Sequence, residues 1–344
     1  MTRVSKRMST PAAVFAAAAI VLAGAAARLQ AAQWQVAVGA ESADLGAQAL
    51  AFLPNELWIQ SGDSIVFSFP THERHTLTFL TPGQIRPPAF GPTFGVPVGC
   101  PGVTPDGSSF DGSSCVSTGV LLLPESGPLA PPQTYTVNFP SPGDFKFVCL
   151  VHSDMTGVVH VASGSTPLPH DQIFYAQQAF TEQSALLDQA SALGARANYG
   201  LRQDTVGAGI GAIVNMTGLG SQTASLMRFL WATVLVRVGD TIEWSNLDPS
   251  INHTVTFGTE PVDPRPPSAN VQLTSDGARQ ATISSTSDSV NSGFLSPTPQ
   301  DRANLAQAPL GVTRFRVTFP NPGAFTYICA VHDQLGMAGT VIVF

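Results

Sequence analysis

Charge is scarce in this chain: 11% of its 344 residues are Asp, Glu, Lys or Arg, while 44% are hydrophobic. That balance excludes disorder for most of the sequence, and the length suffices for two domains with ordinary cores. Basic residues are the scarcer sign, 16 against 23 acidic, and the formal net charge of −7 argues against nucleic acid as a partner. After the N-terminal region no long apolar run occurs, so no membrane span is expected in the mature chain. Histidine is limited to seven residues with no His-x-His pair, too few for a histidine-rich multinuclear metal cluster unless subunits share them. What is plentiful is 31 Gly and 28 Pro among many Val, Thr and Phe, which favours short strands joined by turns over helix bundles.

The N-terminus carries Arg3, Lys6 and Arg7, then an apolar run over about 12–27, then small residues around Ala31 and Ala32. This is the layout of a secretory signal over 1–32, and the run is short for an anchor, so a periplasmic or secreted protein is expected. Cleavage after Ala32 would remove four cations (Arg3, Lys6, Arg7 and Arg28), leaving 12 − 23 = −11. An acidic surface of that kind suits a basic partner such as another redox protein.

Four cysteines divide into two kinds. Cys100 and Cys115 lie in a Gly, Ser and Pro-rich stretch without a neighbouring histidine. In an oxidising compartment they are expected to form a disulfide that closes a loop too polar to hold itself by packing, two free thiols being the alternative. Cys149 and Cys329 belong to a different pattern.

Cys329, His332 and Met337 form a Cys-x2-His-x4-Met run near the C-terminus. A thiolate, an imidazole and a thioether on one loop make a soft donor set that suits copper, and His253, at the start of an alternating run, can supply a second imidazole. The set occurs twice: His75 parallels His253, and Cys149, His152 and Met155 repeat the loop with the shorter spacing Cys-x2-His-x2-Met. Zinc also accepts one thiolate and two imidazoles, but a thioether adds little to zinc, so Met155 and Met337 favour copper. His72 competes with His75, and the match to His253 favours His75. His160 and His170 read as solvated or core histidines.

Arithmetic supports a duplication. Asp63 to Asp240 and Phe52-Leu53 to Phe229-Leu230 are offsets of 177, His75 to His253 is 178, Cys149 to Cys329 and His152 to His332 are 180, and Met155 to Met337 is 182. A drift of five residues, taken up in loops, predicts two copies of one fold: domains at 33–163 and 201–344, with a linker over 164–200. In copy one, 34–39, 57–60, 64–69, 76–79, 134–139, 144–148 and 157–161 read as strands, with a Pro/Gly turn at 140–143 matched by 320–323. Insertions at about 81–132 and 258–311 have no readable role. The linker carries the one convincing helix, 171–192, with Ile173, Ala176, Phe180, Leu187 and Ala190 near one face and Gly194 as its stop.

These residues resemble the cupredoxin family, plastocyanin in particular, over roughly 33–162 and 211–344. Ala51-Phe52-Leu53-Pro54 and the run from Ser61 to Phe67 look like early plastocyanin strands, Cys329-x2-His332-x4-Met337 has the plastocyanin spacing, and Cys149-x2-His152-x2-Met155 looks like the amicyanin loop. The resemblance implies an all-β protein of two tandem Greek-key β-sandwiches joined by a helical linker. It implies one type 1 copper in each: His75, Cys149, His152 and Met155 in the first, His253, Cys329, His332 and Met337 in the second.

The expected function is single-electron transfer between redox protein partners, with Phe147, Tyr327 and exposed ligand histidines His152 and His332 as electron routes. Copper binding or delivery without electron transfer is one alternative, a structural module with incidental metal another. A two-domain oxidoreductase related to nitrite reductase or small laccase is disfavoured, because Cys149 lies between Val148 and Leu150, Cys329 lies between Ile328 and Ala330, and only His72, His160 and His170 are left over. Thr76 and Thr254, each next to a ligand histidine, are expected to reach across to the cysteine loops.

Overall fold

A computed structural model describes residues 31–344 apart from 96–98, 101, 124–131, 165, 198–200, 202–203, 216–219 and 298–310. The expected signal run falls on 1–30, outside the described residues. In the first half the chain forms β1 (Gln33–Glu41), β2 (Ala47–Leu53), β3 (Glu56–Gln60), β4 (Ser64–Phe69), β5 (Thr78–Phe79), β6 (Ser108–Ser109), β7 (Val116–Ser117), β8 (Gln133–Asn138), β9 (Gly143–Val148) and β10 (Thr156–Ala162). After helix α1 (Gln172–Ala197) come β11 (Thr205–Asn215), β12 (Ser221–Leu230), β13 (Thr233–Val236), β14 (Thr241–Leu247), β15 (Thr256–Phe257) and β16 (Gln272–Leu273). Then follow β17 (Arg279–Thr282), β18 (Val290–Asn291), β19 (Arg314–Thr318), β20 (Gly323–Ile328) and β21 (Ala338–Val343). The alternation expected for β4 appears as inward Ile65, Phe67 and Phe69. Strand β5 is shorter than its sequence pattern because the Thr76 and Leu77 N–H groups donate to Cys149 Sγ and Thr118 Oγ1, not to a neighbouring strand.

Each half stacks two sheets around a core. In the first, Trp34, Val36, Phe52 and Phe67 from one sheet meet Leu57, Ile59, Phe147 and Val159 from the order β3-β10-β9-β5-β7. In the second, Trp244 and Phe315 meet Phe257, Tyr327 and Val341 from the order β13-β21-β20-β15-β18. The fold is therefore all-β, two sandwiches with a helix between them in sequence.

The sandwiches share more than that helix. Strands β2 and β12 pair antiparallel, so the first sheets of both halves fuse into β16-β17-β19-β14-β11-β12-β2-β1-β4-β8-β6. Adding 177 to one member of the pair Ala47/Leu226 and subtracting it from the other gives Ala224/Ala49, which is also a pair, whereas Gln48/Ser225 maps onto itself. An approximate twofold axis thus passes through Gln48 and Ser225.

Strand β2 is buried along its whole length because one face, with Leu50 and Phe52, serves the sandwich core. The other face, with Ala47, Ala49, Ala51 and Leu53, lies under α1. Asp171 caps the helix by accepting from the Phe174 backbone N–H at 2.9 Å. The helix runs beyond its expected end, and its buried face differs from the expected stripe: Tyr175, Leu186, Ala190 and Gly194 are buried, whereas Ile173 and Phe180 are 68% and 70% exposed. Gly194 does not stop the helix; a Cβ there would stand 2.2 Å from Leu226 Cδ2, so the missing side chain lets α1 settle close to β12. Among the described residues no helix is long and apolar enough to cross a membrane. Cys100 and Cys115 form the expected disulfide.

Candidate metal centres

Both cysteines sit where a strand ends and its hairpin loop begins. Cys149 follows β9 and its N–H donates to Met155 O at 2.9 Å; Cys329 follows β20 and donates to Met337 O at 3.0 Å. The longer second loop fits in a turn of 3-10 helix, Asp333–Leu335, closed by Gly336 at φ 86°. Met155 and Met337 are fully buried, each in the same core cluster as the cysteine of its loop.

Three donors converge in each half, all buried: His75, Cys149 and His152, and His253, Cys329 and His332. Cys149 Sγ lies 3.7 Å from His152 Nδ1, which is 3.2 Å from His75 Nδ1. Cys329 Sγ lies 3.8 Å from His253 Nδ1 and 3.3 Å from His332 Nδ1. Donors each about 2.1 Å from one ion in a trigonal plane stand about 3.6 Å apart, so both triads fit a single ion. One thiolate and two imidazoles beside a methionine loop are the set that copper favours.

The supports are matched. The Thr76 N–H donates to Cys149 Sγ at 3.4 Å and the Thr254 N–H to Cys329 Sγ at 3.3 Å. Each threonine hydroxyl also reaches the cysteine loop, accepting from Leu150 N at 2.6 Å and from Ala330 N at 2.7 Å. Gly39 and Gly209 occupy the irregular points of β1 and β11 at φ 82° and 71°, where an added Cβ would stand 2.5 Å from His75 Nε2 and 2.1 Å from His253 Nε2. Only glycine leaves room for these rings.

His72 is held apart by Glu41, its Nδ1 2.7 Å from Oε1, and takes no part in the cluster. His160 lies between Asp144 and Glu56 at 2.5 and 3.0 Å, and His170 stacks on Phe174.

The expectation of exposed ligand histidines is corrected: His152 and His332 are 1% and 3% exposed. They turn inward because the cysteine loops of the two halves face each other across one buried carboxylate. Glu73 Oε1 lies 3.4 Å from His152 Nε2, and Glu73 Oε2 lies 3.5 Å from His332 Nε2. Arg74 Nη1 donates to Val331 O at 3.0 Å, tying this segment to the opposite loop. Above the histidines opens a cavity of about 300 Å³ whose walls include Phe90 and Phe94 from the first insertion and Arg265 and Phe294 from the second. Arg265 donates to Gly91 O at 2.9 Å, so the insertions meet over the junction.

Burial opposes charge throughout the cluster. It pushes the Cys329 thiol up to about 11, His332 down to about 4 and His253 well below its ordinary value. In the first half burial is outweighed: Cys149, beside His152, lies well below the usual thiol range, and His152, between Cys149 and Glu73, rises to about 10. Burial would raise the Glu73 carboxyl, but His332 and then His152 outweigh it and lower it to about 2.

Sequence reasoning missed Glu73, Gly39 and Gly209. One signal for Glu73 existed: the offset of 178 that carries His75 to His253 carries Glu73 to Ile251, so it is a charge without a counterpart. Neither glycine stands out from its neighbours in sequence.

With this geometry in view, residues 216–344 match the family model of copper binding proteins of the plastocyanin/azurin family, less than half of the chain. Similar solved structures include oxidised plastocyanin from Dryopteris crassirhizoma, at 16% identity over 41% of this chain and 99% of its own, with a TM-score of 0.22. Amicyanin from Paracoccus versutus is 17% identical over 43% of this chain and 88% of its own, TM-score 0.22. Dithionite-reduced auracyanin from Roseiflexus castenholzii is 19% identical over 38% of this chain and 96% of its own, TM-score 0.23. No curated protein matches the chain.

Proposed function

We propose that this chain is a secreted or periplasmic protein with two type 1 copper sites that passes single electrons between redox partners. His75, Cys149, His152 and Met155 would hold one ion, His253, Cys329, His332 and Met337 the other. On this reading each half is a copy of one cupredoxin domain, 33–163 and 201–344, joined by 164–200. The carrying observation is the pair of buried Sγ and Nδ1 triads, each beside a methionine loop. A bound copper would supply a one-electron couple. The protein's part is to hold the donors still and exclude water. Strand ends fix both cysteines, the Thr76 and Thr254 hydrogen bonds fix the loops, and Gly39 and Gly209 seat the histidine rings, which together limit rearrangement between oxidation states.

Metal analysis with visible and EPR spectra tests this. Two coppers per chain with thiolate-to-copper absorption, falling to one each in Cys149→Ser and Cys329→Ser, is the expected result. Tight Cu(I) binding without that absorption would replace electron transfer by copper handling. The cavity over His152 and His332 favours a second reading, a copper oxidoreductase acting on a small molecule, and turnover of small organic reductants that is lost when Phe294→Trp fills the cavity would establish it.

A further inference from the structure

We propose that Glu73 is a shared positioning residue, one carboxylate that orients and charge-balances His152 of the first candidate site and His332 of the second, so that the two sites are tuned together. The inference rests on the copper reading and goes beyond it by linking the sites.

A histidine that offers Nδ1 to a metal keeps its ring proton on Nε2, and the group that accepts that proton sets the ring orientation and the basicity of the ligand. In both halves Nδ1 faces the cysteine sulfur. The outward Nε2 atoms of His152 and His332 then face different oxygens of the same carboxylate, at 3.4 and 3.5 Å. Glu73 is 2% exposed, so water does not compete for it. Glu73 Oε2 and His152 Nε2 have no other hydrogen-bond partner, so this carboxylate and these rings face no competing group.

Symmetry makes one residue sufficient. The approximate twofold axis brings the two metal loops together, and the position equivalent to Glu73 is Ile251, also buried. Two carboxylates there would repel at close range, whereas one carboxylate and one isoleucine leave a single acceptor with two oxygens for two donors. Arg74, through Val331 O, ties the backbone beside Glu73 to the loop it serves in the other half. Glu73 thus belongs to the first half by sequence and to both by contact.

Its charge acts on both sites in the same direction. An oxidised site carries one more positive charge than a reduced one, so a carboxylate beside its histidine favours the oxidised form; removing that charge raises the reduction potential. Removing both oxygens as well takes away the acceptor that orients each ligand, which weakens divalent metal binding by about tenfold or more.

The experiment uses the full chain with Cys149→Ser or Cys329→Ser, each leaving one intact triad, with and without Glu73→Gln. Co(II) alone is titrated and followed by thiolate absorption, and the copper-loaded proteins are measured for reduction potential. Glu73→Gln, which keeps one acceptor oxygen but no charge, is expected to raise the potential in both backgrounds, while His72→Gln on the same loop changes neither binding nor potential. Glu73→Ile, which repeats Ile251 and leaves no acceptor, should raise the potential and also weaken Co(II) binding about tenfold or more in both backgrounds. A response confined to the first-half site, or to neither, overturns the inference. Protein that binds neither Co(II) nor copper with Glu73 present overturns the copper reading and the inference with it.

Discussion

Gly39 and Gly209 show how little a single residue must contribute to decide a site. Each provides only the absence of a Cβ where the backbone is left-handed and an imidazole ring presses against it. Gly209→Ala combines left-handed strain of about 1–2 kcal/mol with overpacking of about 1–3 kcal/mol. The expected outcome is a second site that binds Co(II) weakly with an altered absorption band while the first site is unchanged, read in the Cys149→Ser and Cys329→Ser backgrounds. Asp248 offers a residue-scale test against pH. Burial raises its carboxyl from 3.8 to about 6 despite hydrogen bonds from Ser225 Oγ and from the Ser250 and Ile251 N–H groups. Between pH 4 and 6 the unfolded chain has released this proton and the folded chain keeps it, so stability is full below that window and falls as pH rises through it. The loss is about 3 kcal/mol. Denaturant titrations at pH 4 and pH 7 should show that decline reduced by a comparable amount in Asp248→Asn, which keeps the one oxygen that accepts from both backbone N–H groups.

Helix α1 and the β2–β12 pair bind the halves at the scale of elements. Leu186 and Ala190 close over Ala49, Leu53 and Ala224, so this small core exists only when both halves are in place. Leu186→Ala should lower stability by about 2–5 kcal/mol in chemical denaturation. It should also speed proteolytic cutting near the helix, while the metal spectra of the folded protein stay unchanged. Elements exposed on one face were legible in the sequence: the alternation of β4 and the turn at 140–143 place β4, β8 and β9 where they lie. Strand β2 was reached only at Ala51–Leu53 and only by resemblance, because with α1 on one side and the sandwich on the other it has no polar face to mark its period. What α1 meets sets its buried side: Tyr175 packs against Trp34, Leu186 against the β2 alanines and Gly194 against Leu226, which leaves Ile173 and Phe180 outside.

For the whole molecule, the continuous sheet predicts joint unfolding. Trp34 and Trp58 report on the first half and Trp231 and Trp244 on the second, so fluorescence from variants keeping one pair or the other should follow far-UV circular dichroism through one coincident thermal transition. Two separated transitions would show that the β2–β12 pair and α1 do not couple the halves. The residues that come together in each buried triad were legible from the chain alone, because thiol and imidazole chemistry is carried by residue type, and loop spacing keeps the cysteine and one histidine together wherever the loop folds. The tertiary structure alone decided that the two loops face each other, that His152 and His332 are buried instead of exposed, and that Glu73 lies between them. That arrangement depends on the axis through Gln48 and Ser225, and a strand pairing between distant segments leaves no local pattern in the residues that it brings together.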